Sequence, residues 1–135
     1  MISINYIMDL IDWNNSEDNQ AKGIELAQEV KCISIFLQPV EKYYNKNVWD
    51  NCAKILSERS DQELSTYLIP LMKWLQDMNW PGAFCILDRL QKYEKDLLFE
   101  FALDTCIKYA KALEDDVWEN NLQYAYSGIP QIQRQ

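Results

Sequence analysis

Two pairs of carboxylates stand at spacings that one helix face could bring together. Asp9 and Asp12 are three residues apart, and Glu100 and Asp104 are four apart. Side chains at these spacings are neighbours on a helix. Two carboxylates in one cleft can do acid–base work or bind a hard cation. The competing reading is a solvated surface, and Lys108, four residues past Asp104, suits an ordinary surface ion pair. A third acidic group lies in "LEDDVWE" (113–119), where Glu114, Asp115 and Asp116 sit at the start of a helix and its dipole favours them.

Other chemistry is excluded by residue type. The chain has no histidine, which removes Ser–His and Cys–His nucleophile pairs, histidine metal sites and the commonest general base. Neither G-x-x-x-x-G-K-[ST] nor G-x-G-x-x-G occurs, so there is no glycine-rich phosphate cradle. The cysteines, Cys32, Cys52, Cys85 and Cys106, have no zinc-ligand spacing and no C-x-x-C. Cys52 and Cys106 fall on apolar stripes and read as core fillers. The expectation is a non-enzyme with no catalytic residue, no cofactor and no metal site.

The elements that would position these groups follow one template. Apolar residues recur at i, i+3, i+4, i+7, the mark of a helix with one buried face. The sets are Ile4, Ile7, Met8, Ile11; Gly23, Leu26, Ala27, Val30; Trp49, Cys52, Ala53, Leu56; Leu71, Trp74, Leu75, Met78; and Ala83, Ile86, Leu87, Leu90. A sixth runs Phe99, Ala102, Leu103, Cys106, Ala110, Leu113, and a weaker seventh near 116–126 uses Trp118, Leu122 and Ala125. Punctuation falls between them. "NNSEDN" (14–19) offers caps, Ser60 with Glu63 forms a capping box, and Asp115 or Asp116 can cap the last helix. Pro70 suits the first turn of a new helix. "VWDN" at 48–51 returns as "VWEN" at 117–120, a hint of repetition.

The totals agree with an all-α protein. A chain of 135 residues fits one domain, and three glycines and four prolines are few for the tight turns of an all-β fold. Residues 1–127 read as a single helical-repeat domain, with a loose C-terminal tail at 128–135. Short connections make neighbouring helices antiparallel, so the predicted architecture is an array of about seven helices in antiparallel hairpins. The net charge of −8 opposes nucleic acid and anionic membranes and favours a basic protein partner. It also suits plain solubility. "MISINYIMDLID" lacks the features of a signal peptide, and the longest charge-free run, Asn120–Gln133, is polar. The expected compartment is the reducing cytoplasm, with free thiols.

"WLQDMNWPGA" (74–83) reads as the corner between two of these helices. Trp74 lies on the buried stripe, Asn79 or Trp80 stands at the next helix cap, and Pro81 falls in that helix's first turn. Gly82 and Ala83 are small enough to let helix ends approach. Trp80 would cover the corner, its N–H meeting an open carbonyl. "LMKWLQDMNWPGA" resembles the W-L-Q-D-x-N-W-P signature of a small bacterial family of unknown function with HEAT-like helical hairpins. "NVWDNCAKILSERSDQEL" is similar to the preceding helix of that family. The resemblance covers roughly residues 46–92 and implies the fold, and it brings no catalytic residue with it. In size and charge the chain also looks like the immunity proteins that neutralise secreted bacterial toxins.

These readings converge on a non-enzymatic protein-binding module, most concretely an immunity-type inhibitor of a cationic toxin domain. The alternatives are an enzyme using paired carboxylates and an oligomerising structural subunit. The residues expected to meet the partner are carboxylates at helix ends beside aromatic edges: Asp12 with Trp13, Asp77 with Trp80, and the run Glu114, Asp115, Asp116. The sequence leaves the oligomeric state open.

Overall fold

A computed structural model describes residues 3–41 and 44–127; the tail expected at 128–135 lies outside the described residues. Among these the only regular elements are helices, with no strand. In chain order they are α1 (Ile4–Ile11), α2 (Glu17–Ala27), the single turn α3 (Gln38–Glu41), α4 (Trp49–Ser57), the single turn α5 (Asp61–Leu64), α6 (Leu68–Lys73), α7 (Ala83–Lys92), α8 (Leu97–Ala112) and α9 (Asp116–Ser127). Seven of these are longer than a single turn, and six of them carry the expected apolar stripes; the fourth stripe, Leu71 to Met78, begins in α6 and runs through a 3-10 turn at Trp74–Gln76 instead of forming one helix. None is long and apolar enough to cross a membrane.

The starts of the helices are written in local chemistry. Ser16 Oγ accepts the Asn19 N–H at the head of α2. Ser60 and Glu63 form the reciprocal capping box of α5. Asp96 accepts the Phe99 N–H at α8, and Asp115, rather than Asp116, accepts the Trp118 N–H at α9. Each satisfies a donor that the first helical turn leaves open. Pro70 lies in the first turn of α6, where a missing N–H costs little.

Packing is partly sequential. α1 packs on α2, and α8 on α9. Where α2 meets α1, a Cβ at Gly23 would lie 2.6 Å from Ile11 Cγ2, so only glycine permits that approach. Between these two pairs the contacts skip along the chain: α4 lies on α7, α6 on α8, and α7 also on α9. Trp74, Trp118, Phe36 and Phe99 are the largest side chains wholly inside the core. The Trp118 indole N–H donates to the Met72 carbonyl at 3.1 Å, and Asn121 donates to the Leu75 carbonyl at 2.8 Å, which clamps α9 along the end of α6. The polar Asn121 that interrupts the seventh stripe is therefore a link between helices. Buried Asn51 does the same for α4, donating to the Ile11 carbonyl at 2.7 Å and to Gln20.

Three cations close helix ends. Arg59 donates to the carbonyls of Ala27 and Val30 beyond α2, and pairs with Glu63. Arg89 reaches the Arg59 carbonyl and the Asp61 carboxylate. Lys95 donates to the carbonyls of Leu90, Gln91 and Tyr93 at the end of α7. Positive charge at these positions opposes the negative pole of the helix.

Candidate functional site

The corner at 74–83 is built on three tryptophans. Trp49, at the start of α4, meets Trp74 edge-on at 6.2 Å between centroids and Trp80 edge-on at 5.7 Å. Such T-shaped pairs align a positive ring edge with a negative ring face. Lys46 Nζ lies 5.6 Å from the Trp49 ring centre. The indole N–H that closes the corner belongs to Trp74, which donates to the Pro81 carbonyl at 2.9 Å. α7 begins at Ala83 with Gly82 as its cap, so Pro81 precedes the helix rather than occupying its first turn. Gly82 has φ +85°, the left-handed region that side chains disfavour. A Cβ there would stand 2.7 Å from the Ala53 Cβ and 2.9 Å from the Trp49 carbonyl oxygen. Glycine is therefore required twice, for its conformation and for the close approach of α7 to α4.

Asp77 and Trp80 both belong to this corner. Asp77 Oδ1 accepts the Asn79 N–H at 2.8 Å, and the Asp77 carbonyl accepts the Trp80 N–H at 3.0 Å. Trp80 is half-buried, its ring engaged by Trp49. Beside it a shallow cavity of about 330 Å³ is lined by Asp50, Met78 and Pro81 among others.

Asp12 and Trp13 lie in the turn between α1 and α2. Asp12 Oδ1 accepts the Asn14 N–H at 2.8 Å, and Asn15 Nδ2 donates to the Asp9 carbonyl at 3.0 Å. The Trp13 N–H donates to the Asn47 carbonyl at 3.0 Å. The turn is thus fixed to the segment that leads into Trp49, and the two aromatic–acid groups are joined through residues 46–49. Trp13 is 45% exposed, and an open cleft of about 300 Å³ beside the turn is lined by Asp9, Asp12, Asn14 and Asn15.

The acidic run is assembled at another turn, between α8 and α9. Asp115 is spent on its cap, and Glu114 holds the turn in a left-handed conformation with φ 56°. Glu114 and Asp116 are exposed. The Glu100/Asp104 pair shows the surface chemistry that its spacing with Lys108 suggests: Asp104 pairs with Lys108 at 2.9 Å with both groups mostly exposed. Among the described residues no three His, Cys, Asp or Glu side chains come together in a metal-holding group.

One feature is not anticipated by the apolar stripes. Leu113, assigned to the buried face of α8, is 66% exposed. With Tyr109 and Ala112 it forms one wall of a groove of about 550 Å³, whose other lining includes Pro39, Lys73 and Trp118. α8 carries apolar residues on nearly all sides, and the sequence does not say which of them neighbouring helices will cover. Their spacing was the available signal: Leu97, Phe101, Tyr109 and Leu113 fall on one four-residue period.

The fold and these surfaces define an all-helical domain with apolar and acidic faces. The chain belongs to a family described as a domain of unknown function (DUF5071), whose model matches residues 43–127. The match includes the tryptophan corner and runs from the segment before α4 to the end of α9, and α1, α2 and α3 precede it. No curated protein and no solved structure is significantly similar to the chain.

Proposed function

We propose that this protein is a non-enzymatic binding module for a basic protein, acting in the cytoplasm as an immunity-type inhibitor. In this reading its hairpins form a HEAT-like array that presents turns to the partner. The observation that carries the proposal is Trp13, 45% exposed on the turn that also carries Asp12 and tied by its backbone N–H to the Asn47 carbonyl, with a cleft lined by Asp9 and Asp12 beside that turn. A large aromatic side chain has few rotatable bonds, loses little freedom on binding and makes a good anchor. Carboxylates on the same turn steer a cationic partner and fix its orientation. Asp77 with the open edge of Trp80 extends this surface, and Glu114 with Asp116 adds a second acidic turn. Trp80 contributes less than Trp13, because its ring is engaged by Trp49.

The test is a pull-down from the source organism's lysate and culture fluid, followed by kinetics with the purified partner. The expected partner is a single basic protein whose association rate falls steeply with salt. Asp12→Lys should slow association, and Trp13→Ala should speed dissociation, with circular dichroism unchanged. A neutral or acidic partner, or binding indifferent to salt and to both substitutions, refutes the proposal.

A further inference from the structure

Among the described residues the partly buried cations are Arg59, Lys73, Arg89 and Lys95. Arg59 and Arg89 each reach main-chain carbonyl oxygen and a carboxylate. Lys95 reaches three carbonyls. Lys73, the last residue of α6, differs: it has no hydrogen-bond acceptor and no carboxylate partner among the described residues. Its ammonium lies 5.9 Å from the centre of the Tyr109 ring, at the outer limit of a cation–π contact. An ammonium withdrawn from part of its water without an acceptor is less stable than one that is paired.

Lys73 stands in the groove of about 550 Å³ where α3, α6, α8 and α9 meet. Pro39, Tyr109, Leu113 and Trp118 make most of its lining apolar. The polar groups are the Lys73 ammonium, the Gln76 amide and the Tyr109 hydroxyl. Neither the amide nor the hydroxyl makes a hydrogen bond among the described residues. A concave apolar wall with a few polar groups, in a volume of about 300–1,000 Å³, is the make-up of a small-ligand site.

We propose that this groove binds a small organic monoanion, an apolar body carrying one carboxylate. The body rests on Pro39, Leu113 and the Tyr109 ring, and the carboxylate accepts from the Lys73 ammonium. The ligand thus supplies the acceptor that the other three cations find within the chain. A hydrogen bond between two charged groups is about twice as strong as one between neutral groups. Lys73 is the only charged side chain among the described residues of the lining, so the groove selects against cations. The turn after α8 limits the ligand's charge. Glu114 and Asp116 are exposed just past Leu113, and the chain carries −8 in all. A phosphate dianion meets that repulsion with twice the charge, so a single carboxylate suits the groove better. For a ligand of about twenty non-hydrogen atoms the expected dissociation constant is on the order of tens of micromolar. This inference goes beyond the binding proposal above. It uses a cation and a small ligand rather than acidic turns and a basic protein, and either can fail without the other.

Fluorescence titration with anilinonaphthalene sulfonate tests it, the sulfonate standing in for the carboxylate. N-phenylnaphthylamine, the same rings without the charge, is the neutral control. One sulfonate dye should bind per chain, and the neutral dye should bind about fivefold more weakly or worse. Lys73→Met keeps an unbranched side chain and removes the charge. It should weaken the sulfonate about fivefold or more and leave the neutral dye nearly unchanged. Leu113→Ser should weaken both dyes. Phe101→Ser removes an exposed ring of α8 outside the groove and should change neither. Dodecanoate should displace the dye, and dodecyltrimethylammonium should not. Circular dichroism should confirm that each variant folds. No binding up to about 1 mM dye, equal binding of the two dyes, or sulfonate binding indifferent to Lys73→Met overturns the proposal. So does binding lost with Phe101→Ser, which would place the dye on the open face of α8. A dye that dodecanoate fails to displace overturns the carboxylate class of ligand.

Discussion

Substituting Gly82 by alanine adds one methyl group at the point where α7 meets α4. The backbone there has φ +85°, and holding alanine in that region costs about 1–2 kcal/mol. The new Cβ would also stand 2.7 Å from the Ala53 Cβ, 2.9 Å from the Trp49 carbonyl oxygen and 3.1 Å from Trp74 Cζ2. A flexible side chain could swing away, but two of these neighbours are a buried methyl group and a backbone oxygen on α4. Relief therefore means moving α7 from α4, and overpacking of this kind costs about 1–3 kcal/mol. Together the two effects predict a loss of about 2–5 kcal/mol. Urea unfolding followed by tryptophan fluorescence measures it, since three tryptophans report on this corner. Ala53→Gly in the same chain should return only the share due to the Ala53 contact, with a coupling of about 0.5–1.5 kcal/mol in a double-mutant cycle. The left-handed backbone and the Trp49 oxygen remain. A Gly82→Ala protein within about 0.5 kcal/mol of wild type would refute both the close approach and the conformation assigned to residue 82.

Three further outcomes are expected. Trp74→Ala should cost about 3–5 kcal/mol, and half-buried Trp80→Ala less, about 2 kcal/mol or somewhat more; Pro81→Ala, whose carbonyl still accepts from Trp74, should cost under about 1 kcal/mol in the same denaturant assay. Burial tends to raise the Asp61 pKa, but the Arg89 guanidinium and the Glu94 N–H outweigh it and hold the carboxyl below its ordinary value of 3.8. Its contribution to stability is therefore complete above that value and lost as the pH falls through the lower folded value; the deficit of Asp61→Asn, read from denaturant midpoints, should shrink as the pH drops below 3.8. Finally, alkylation of the folded protein should modify exposed Cys32 first and spare Cys52 and Cys106. Burial pushes the Cys106 thiol up to about 11, and Cys52 still higher; mass spectrometry should find all four labels after unfolding.

What the sequence determined was local. Most of the longer helices carry a 3.6-residue apolar period and α2, α5, α8 and α9 have a side-chain cap, so seven helices, the Ser60–Glu63 box and the Asp115 cap could be read from spacing, although the fourth stripe runs on past the end of α6. That 74–83 is a corner followed from proline, glycine and the end of a stripe. The same residues did not show that Gly82 is the cap, that Trp74 supplies the closing N–H, or that Trp49 stacks its edge against Trp80, because those depend on α4 lying across α7. The pairing of α4 with α7 and α6 with α8 was equally hidden, since an apolar stripe states that a face is covered but not by which helix. For α8 even that statement failed: its apolar residues surround the helix, and only the positions of α6 and α9 decided that Phe99 and Cys106 are inside while Phe101 and Leu113 face solvent. Exposure is a property of neighbours distant in the chain, and the sequence encodes it only through the packing of the whole.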